Sequence, residues 1–316
     1  MQIIFFLLGM ALLVAGAELL IRGASSLAKR FNIPEIVIGL TIVAFGTSLP
    51  ELVVNIFASA KGLSGLAFGN IIGSNIFNIL LILGISALIN PLKVGKNTVW
   101  KEIPFSLFAA ILLFILVNDR VTLGRPGNML TRFDAMIFLF FFAAFIVYIF
   151  FITKAGMQDE GNYATYSALI SVLFVISGLG LLFAGGKVSV NAAIKIAQML
   201  GVSEKVIGLT IVAAGTSLPE LATSAVASFK KKYDIAVGNI VGSNIFNIFL
   251  ILGISGFISP LPYETAINTD MYVLLAATVL LFISMFTLKK RTIDRIEAGI
   301  MICAYIAYIV FQATRS

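Results

Sequence analysis

The sequence contains no histidine and a single cysteine, Cys303, among its 316 residues. A chain with this composition has no material for a histidine-ligated zinc site, a Ser-His-Asp triad, a disulfide framework or an iron–sulfur cluster. Charge is also scarce, because Asp, Glu, Lys and Arg together make up 12% of the residues, whereas a soluble domain carries about 25%. The composition therefore excludes a soluble protein and several common classes of enzyme site.

Long apolar runs fill most of the chain, since 59% of its residues are hydrophobic and its mean hydropathy is +1.05. The hydrocarbon core of a bilayer is about 30 Å thick and is crossed by a helix of roughly 20 apolar residues. Ten segments meet this requirement, at about 1–21, 36–60, 66–91, 103–118, 134–153, 166–186, 205–229, 235–259, 271–288 and 296–313. We therefore predict an all-α, polytopic membrane protein with ten transmembrane helices.

The chain contains an internal repeat at an offset of 169 residues. Residues 39–58 match 208–227 at 14 of 20 positions, and 69–84 match 238–253 at 14 of 16. Each copy holds five predicted spans, and an odd number makes the second copy enter the membrane from the opposite side, as in many secondary transporters. We predict a first five-helix repeat at 1–153, a cytoplasmic linker at 154–165 and a second, inverted repeat at 166–316. The first span has an equivalent at 170–190, which argues against a cleaved signal peptide.

The basic residues indicate the orientation of the chain. With the N-terminus placed outside, 14 of the 22 Lys and Arg residues fall on the cytoplasmic side, as the positive-inside rule favours. The net charge of +7 is thus explained by topology rather than by nucleic-acid binding. We expect an integral protein of the cell membrane, surrounded by the lipid bilayer, with both termini outside, acting as a monomer.

The segment GTSLPE occurs twice, at 46–51 and 215–220, each time inside an apolar run. A charge at mid-membrane costs at least about 2.5–3.5 kcal/mol, so such glutamates usually face a polar interior and mark an ion or proton pathway. Residues three and four positions apart share a helix face, which places two hydroxyls beside each carboxylate. The residues of this arrangement are Glu51, Thr47 and Ser48 in the first copy and Glu220, Thr216 and Ser217 in the second.

The span after each GTSLPE adds a serine and an asparagine at i, i+4. These are Ser74 and Asn78 in the first half and Ser243 and Asn247 in the second. All of these side chains offer oxygen and none offers sulfur or imidazole. An all-oxygen set suits hard cations such as Ca²⁺ and Na⁺ rather than zinc or copper.

The proline of each motif predicts a break in its helix. Pro50 has no N–H to donate to the carbonyl of Gly46 and clashes with it. Carbonyl oxygens near residues 44–46, and near 213–215 in the second copy, are thereby freed beside the carboxylate. Unpaired carbonyls inside a membrane are tolerated where a cavity, water or an ion satisfies them. A bound cation would do so here.

Two copies of GTSLPE, each followed by GNxxGSNIFN, resemble the sodium/calcium exchangers of the Ca²⁺/cation antiporter superfamily. The resemblance covers essentially the whole chain, which is similar to the compact prokaryotic members and has no equivalent of the large cytosolic regulatory domain of animal members. It implies that Glu51 and Glu220 hold a central Ca²⁺ between them, helped by Thr47 and Thr216.

The resemblance also implies sodium sites on both sides of the central ion. Their implied ligands are Ser48, Ser74 and the carbonyl of Ala44 on one side, Ser217, Ser243 and the carbonyl of Ala213 on the other, and Asn78 and Asn247 in the middle. Many prokaryotic members carry Asp where Asn247 stands. In animal members Asp there accompanies a potassium requirement, so the resemblance implies exchange without potassium and leaves the ion stoichiometry open.

These features predict a secondary active antiporter that exchanges Na⁺ for Ca²⁺ electrogenically by alternating access, and not an enzyme. Ca²⁺ and Na⁺ are the transported ions, and we expect no cofactor. The alternative is a Ca²⁺/H⁺ antiporter that uses the same two glutamates, because desolvated carboxylates can hold protons near neutral pH. The first and sixth spans, rich in glycine and without ligands, are the predicted moving pair.

Overall fold

The computed structural model describes residues 1–119, 124, 127–154, 166–200 and 213–315. In this part of the chain eight helices are long and apolar enough to cross a membrane, and two further helices meet at a bend to form one more span. The helices are α1 Gln2–Arg30, α2 Glu35–Thr47, α3 Leu49–Ala60, α4 Ser64–Ile89, α5 Thr98–Val117, α6 Arg132–Lys154, α7 Ala168–Met199, α8 Leu218–Phe229, α9 Tyr233–Ile258, α10 Thr265–Ser284 and α11 Arg295–Thr314.

The described helices account for nine of the ten predicted spans. The remaining one, 205–229, is described from residue 213 onward, as a helical turn Ala213–Gly215 followed by α8. Residues 201–212 lie outside the described residues, and so do residues 155–165 of the predicted linker. The count of ten spans therefore stays a prediction.

The predicted ends of the first and sixth spans, residues 21 and 186, are wrong, because α1 continues to Arg30 and α7 to Met199. A hydropathy window stops at the first charges, Glu18 and Arg22. The helix continues through them, since these two side chains form an ion pair of 2.5 Å one turn apart. Small buried residues beyond that point, such as Gly23, pack against α7.

Helices α1 and α7 form a tight antiparallel pair. A Cβ added to Gly16 would lie 2.8 Å from the carbonyl oxygen of Gly178, and one added to Gly178 would lie 2.7 Å from that of Gly16. Gly9 and Gly185 oppose each other in the same way. Gly178 and Gly185 are the repeat equivalents of Gly9 and Gly16. The contact between Gly9 and Gly185 is therefore the repeat equivalent of the contact between Gly178 and Gly16. This two-fold pattern supports the predicted inversion of the two halves.

Two short strand pairs join the halves at the loops. Strand β1, Leu92–Lys93, pairs antiparallel with β4, Thr292–Ile293. Strand β2, Met129–Leu130, pairs antiparallel with β3, Leu261–Pro262. Strands β1 and β3 are repeat equivalents. Each strand pair therefore connects the loop after the third predicted span of one half to the loop before the fifth predicted span of the other half. We call them the β1–β4 clasp and the β2–β3 clasp.

The helices that follow strands β2 and β4 are capped by side chains at their starts. Thr131 accepts a hydrogen bond from the backbone N–H of Asp134 (3.2 Å), and Asp134 accepts one from the backbone N–H of Thr131 (2.9 Å). Asp294 and Glu297 form the same reciprocal pair at the start of α11. These capping boxes satisfy backbone donors that have no partner within the helix.

Burial divides the helices into a centre and a periphery. The most apolar stretch of α9 is 94% buried and that of α4 is 78% buried, whereas the values for the other spanning helices are 17–39%. Helices α4 and α9 are the ones that carry GNxxGSNIFN. They therefore form the centre of the fold, and the other long helices lie at its periphery.

Candidate functional site

The break that Pro50 predicts is confirmed. Helices α2 and α3 meet at an angle of 48°, and Ser48 between them leaves the helical conformation, with φ −82° and ψ 6°. Ser217 adopts nearly the same backbone, φ −89° and ψ 8°, before α8. Glu51 and Glu220 consequently lie in the first turn of a helix. The positive end of a helix dipole stabilises a negative charge at this place.

Serines cross between the halves and bring the two carboxylates together. Ser48 of the first half donates a hydrogen bond of 3.0 Å to Oε1 of Glu220. Ser217 of the second half donates one of 2.9 Å to Oε1 of Glu51. Ser74 lies beside this second contact, 3.0 Å from the hydroxyl of Ser217 and 3.4 Å from Glu51. Both glutamates are 1% exposed, so the mirrored acids meet in the interior rather than facing lipid.

Four buried oxygens of the site have no hydrogen-bond partner among the described residues. They are Oε2 of Glu51, Oε2 of Glu220, Oδ1 of Asn78 and Oδ1 of Asn247. A buried polar atom left unpaired costs about 1–3 kcal/mol, and more when it is charged. All four atoms are acceptors and form two repeat-related pairs. A bound cation would complete such a set.

Two further asparagines fix the orientation of Asn78 and Asn247. The side-chain N–H of Asn78 donates to Oδ1 of Asn244 (3.0 Å), and that of Asn247 donates to Oδ1 of Asn75 (2.9 Å). Because the side-chain nitrogens of Asn78 and Asn247 are held by these bonds, the Oδ1 atoms of the two residues point away from Asn244 and Asn75, which we call the amide scaffold. Sequence analysis missed Asn75 and Asn244, although each directly follows the candidate serine in its own copy of GSN.

The scaffold also links Asn75 and Asn244 to each other. Asn75 donates its side-chain N–H to the carbonyl of Asn244 (3.3 Å), and Asn244 donates to the carbonyl of Asn75 (3.4 Å). These bonds join α4 and α9 at the centre of the fold by a symmetric exchange. The two helices that carry the neutral ligand candidates are thus held in a fixed relation to one another.

A second layer of amides holds the threonines. Thr47 donates to Oδ1 of Asn239 (3.0 Å), whose side-chain N–H donates to the carbonyl of Glu220 (3.4 Å). In the other half Thr216 donates to Oδ1 of Asn70 (3.5 Å). Asn70 in turn donates to the carbonyl of Glu51 (3.3 Å). Sequence analysis missed these two asparagines as well; they are the asparagines that begin both copies of GNxxGSNIFN.

The structure groups the implied sodium ligands differently from the resemblance. Ser74 lies with Ser217 of the other half rather than with Ser48. Ser243 donates to the carbonyl of Ala44 (3.5 Å), although the resemblance places the two on opposite sides. The reason is that spacing along one helix does not reveal contacts across the interface between the two halves.

The carbonyl of Ala44 is not left unpaired by the break. It accepts hydrogen bonds from the backbone N–H of Ser48 (3.0 Å) and from the hydroxyl of Thr47 (3.3 Å). The carbonyl that Pro50 deprives of a donor is that of Gly46. Ala213 lies at the edge of the described residues, and its side chain is outside them.

Three helices of the site, α2, α4 and α9, contain a stretch of wider, π-helical turns. These stretches are Gly39–Val43 before the first GTSLPE, Phe77–Ile82, which contains Asn78, and Phe246–Leu252, which contains Asn247. Such turns often occur at functional sites, because they displace a side chain from the regular helical position. No pattern in the sequence analysis predicted them.

The site combines two carboxylates with neutral hydroxyl and amide oxygens. Within the described residues there is no group of three or more His, Cys, Asp or Glu side chains that could hold a metal ion. The donor set therefore suits a hard cation bound largely by neutral oxygens, of the kind that Ca²⁺ and Na⁺ accept. The cation would be cargo and not a resident cofactor.

Comparisons with known proteins agree with this chemistry. The family model described as "Sodium/calcium exchanger protein" matches residues 1–151 and 170–314. The chain is 39% identical to the putative antiporter CaxA of Alkalimonas amylolytica, over 96% of each chain. It is 33% identical to the sodium/calcium exchanger MaX1 of Methanosarcina acetivorans, over 97% of each.

A solved structure of the sodium-calcium exchanger NCX_Mj, soaked with zero Na⁺ and Ca²⁺, superimposes with a TM-score of 0.81 at 35% sequence identity, covering 98% of both chains. Similarity of this extent reaches every element that builds the site. The chain belongs to the sodium/calcium exchanger family, whose members are membrane antiporters.

Proposed function

We propose that the protein exchanges several Na⁺ for one Ca²⁺ across the cell membrane by alternating access. The observation that carries this proposal is the set of four unpaired, buried acceptor oxygens on Glu51, Glu220, Asn78 and Asn247. Two carboxylates neutralise one Ca²⁺, and neutral oxygens complete its coordination of six to eight ligands. The proposed ligands of the transported ions are those named from the sequence, with Ser74 and Ser217 acting together and Ser243 beside the carbonyl of Ala44.

Exchange rather than co-transport follows from the charge of the site. The same two carboxylates cannot neutralise one Ca²⁺ and several Na⁺ together in a low-dielectric interior. Three Na⁺ on this pair carry one positive charge more than the two carboxylates neutralise, which makes the cycle electrogenic. Asn247 offers an amide in place of a third carboxylate, and this supports exchange without potassium.

The moving unit is proposed to be the α1–α7 pair. Its backbones are in contact through glycines on both helices, so it moves as one body. Neither helix contributes one of the proposed ligands, which lie on the segments 44–51 and 213–220 and on α4 and α9. Sliding of this pair past the site would open it to one side of the membrane and then to the other.

The alternative, Ca²⁺/H⁺ antiport, uses the same two glutamates. It is less well supported, because it gives the neutral oxygen atoms of the site no function. The hydroxyls of Ser48, Ser74 and Ser217 are ligands that Na⁺ needs and a proton does not.

The test is gradient-driven uptake of ⁴⁵Ca²⁺ into vesicles that contain the purified protein. We expect an outward Na⁺ gradient to drive accumulation, potassium-free buffers to leave the rate unchanged, and an inside-positive potential to accelerate Na⁺-driven uptake. Glu51→Gln and Glu220→Gln are expected to abolish it. Glu102→Gln is the matched control, because Glu102 is a buried glutamate of α5 that contacts Tyr148 instead of the site. Uptake that does not depend on the Na⁺ gradient and is driven by a pH gradient would establish Ca²⁺/H⁺ antiport.

A further inference from the structure

A second pocket lies at the membrane surface, away from the ion site. It has a volume of about 510 Å³ and is formed where the β1–β4 clasp meets the starts of α2 and α9. Its lining residues are Glu35, Lys93, Val94, Gly95, Lys231, Tyr233, Asp234, Lys290, Arg291 and Thr292. The predicted orientation places this pocket on the cytoplasmic side. None of the proposed cation ligands lines it.

The pocket concentrates positive charge that the described protein does not neutralise. Four of its lining side chains are basic and two are acidic. Glu35 forms an ion pair with Lys232, at 2.7 Å, and Asp234 has an interaction of its own. The four basic residues that line the pocket form no ion pair within the described residues. Cations that converge without counter-charges repel one another, and an anion in the pocket removes this cost.

The inverted repeat supplies an internal comparison for these charges. The β2–β3 clasp has the same strand pairing at the opposite membrane face, so the fold can be compared with and without the basic residues. Each of the four corresponds there to an uncharged residue: Lys93 to Pro262, Lys231 to Gly62, Lys290 to Gly127 and Arg291 to Asn128. A clasp of this kind therefore forms without a basic side chain at any of these four positions.

Lys231 stands at a position where the backbone favours glycine. Its φ is +61°, and its equivalent Gly62 has φ +70°. A residue with a Cβ is disfavoured in this left-handed conformation relative to glycine. Arg291 also has a left-handed φ, +57°. The positive-inside rule accounts for basic residues on this face, but it requires neither their convergence on one pocket nor their presence at strained positions.

The start of α9 adds backbone donors to the same pocket. Tyr233 and Asp234 are the first residues of this long helix, and no side chain caps its N-terminus. Free N–H groups at a helix start, together with the dipole, attract phosphate. The hydroxyls of Tyr233 and Thr292 lie in the lining as further donors. Basic pockets of this kind between helices on the cytoplasmic side are suited to phosphate-bearing head groups.

We propose that this pocket binds a phosphate-bearing anion. The phosphate contacts Lys93, Lys231, Lys290 and Arg291 and the first backbone N–H groups of α9. Its source is either the head group of an anionic lipid or a free polyphosphate from the aqueous side. A bound anion would tie the β1–β4 clasp to α9, which carries Ser243 and Asn247, and to the start of α2, which leads to Glu51.

The test measures binding directly and needs no transport. Purified protein in a neutral detergent, in about 0.15 M choline chloride, is titrated with short-chain phosphatidylglycerol, with pyrophosphate, and with phosphatidylcholine as the zwitterionic control. The double variant Lys231→Gly/Arg291→Asn carries the residues of the opposite face, and both are tolerated in left-handed backbone. Lys96→Gln/Lys289→Gln is the matched control, since it removes the same charge from loops that contribute to the pocket but from residues that do not line it.

We expect phosphatidylglycerol or pyrophosphate to bind to the wild type and to the control, and the pocket variant to bind about 25-fold more weakly, from about 1 kcal/mol for each basic residue. Saturable binding of phosphatidylglycerol alone identifies a lipid head group as the source of the phosphate, and saturable binding of pyrophosphate alone identifies a free polyphosphate. Equal weakening in the two double variants, equal binding of phosphatidylcholine, or no binding of either phosphate probe would overturn the proposal. None of these outcomes depends on whether the protein exchanges Na⁺ for Ca²⁺.

Discussion

Replacing Asn244 by alanine tests whether the amide scaffold sets the affinity for Ca²⁺. The side chain of Asn244 accepts a hydrogen bond from Asn78 and donates one to the carbonyl of Asn75. The loss of two bonds at about 1 kcal/mol each, with two buried groups left unpaired, is expected to lower the free energy of unfolding by about 2–4 kcal/mol. The ligand candidate Asn78 remains present but is no longer held.

The effect of Asn244→Ala on the affinity for Ca²⁺ is expected to be smaller than its effect on the free energy of unfolding. Immobilising one side chain costs about 0.5–1.5 kcal/mol, and Asn244→Ala transfers this cost to the binding step. The dissociation constant for Ca²⁺ is therefore expected to rise about two- to tenfold, as measured by calorimetric titration of the purified protein in Na⁺-free buffer.

The matched control is Asn118→Ala, at the end of α5. Asn118 and Asn268 form a reciprocal amide pair of 3.1 and 2.8 Å, and Asn118 also donates to the carbonyl of Phe114 (2.9 Å), so this variant loses at least as many side-chain bonds as Asn244→Ala. It is expected to lose stability without a change in the affinity for Ca²⁺. An unchanged dissociation constant in Asn244→Ala, or an equal rise in both variants, would refute the idea that the scaffold positions Asn78 as a ligand.

Three further predictions concern packing, ligand removal and capping. Gly178→Ala is expected to lower the melting temperature and the transport rate, because its Cβ would lie 2.6 Å from the backbone of α1, whereas Gly180→Ala in the same helix has open space and is expected to be tolerated. Removing Ca²⁺ from a solution at 100 times its dissociation constant is expected to lower the free energy of unfolding by about 2.7 kcal/mol in the wild type and not at all in Glu51→Gln; an equal loss in both would contradict the assignment of the site. Thr131→Ala is expected to cost about 1 kcal/mol of stability, measured by denaturation, through loss of the capping box of α6; no measurable loss would show that the cap is dispensable.

The sequence predicted most of the fold because the repeat constrains it strongly. Nine of the predicted spans coincide with described helices, and Pro50 predicts the break before α3 within two residues. The ends of α1 and α7 could not be predicted from hydropathy, since beyond the predicted span ends the two helices still pack against each other, through Gly23 of α1 and Ser189 of α7, without a continuous apolar composition. The two clasps, of two residues per strand, carry no periodic signal at all.

The candidate site was predictable in its residues but not in its partners. Helical spacing places Thr47, Ser48 and Glu51 near one another on one helix, but it does not indicate that Ser48 binds the carboxylate of the other half. Asn75 and Asn244 were missed for the same reason, because their function lies in contacts between α4 and α9. The sodium ligands implied by the resemblance are grouped across the halves in the structure, which only the three-dimensional arrangement reveals.

The break at each GTSLPE explains why a proline and a carboxylate occur together in an apolar span. Pro50 ends one helix and starts the next, so that Glu51 lies in a first turn, where the helix dipole stabilises its charge. The residue at the break, Ser48, is then free to cross the interface and donate to Glu220. Because the second half repeats this arrangement, each carboxylate is held by the break of the opposite half, and neither half contains a complete site. A cation that binds both carboxylates therefore links the two breaks directly, and a movement that separates the halves must also disturb the bound ion.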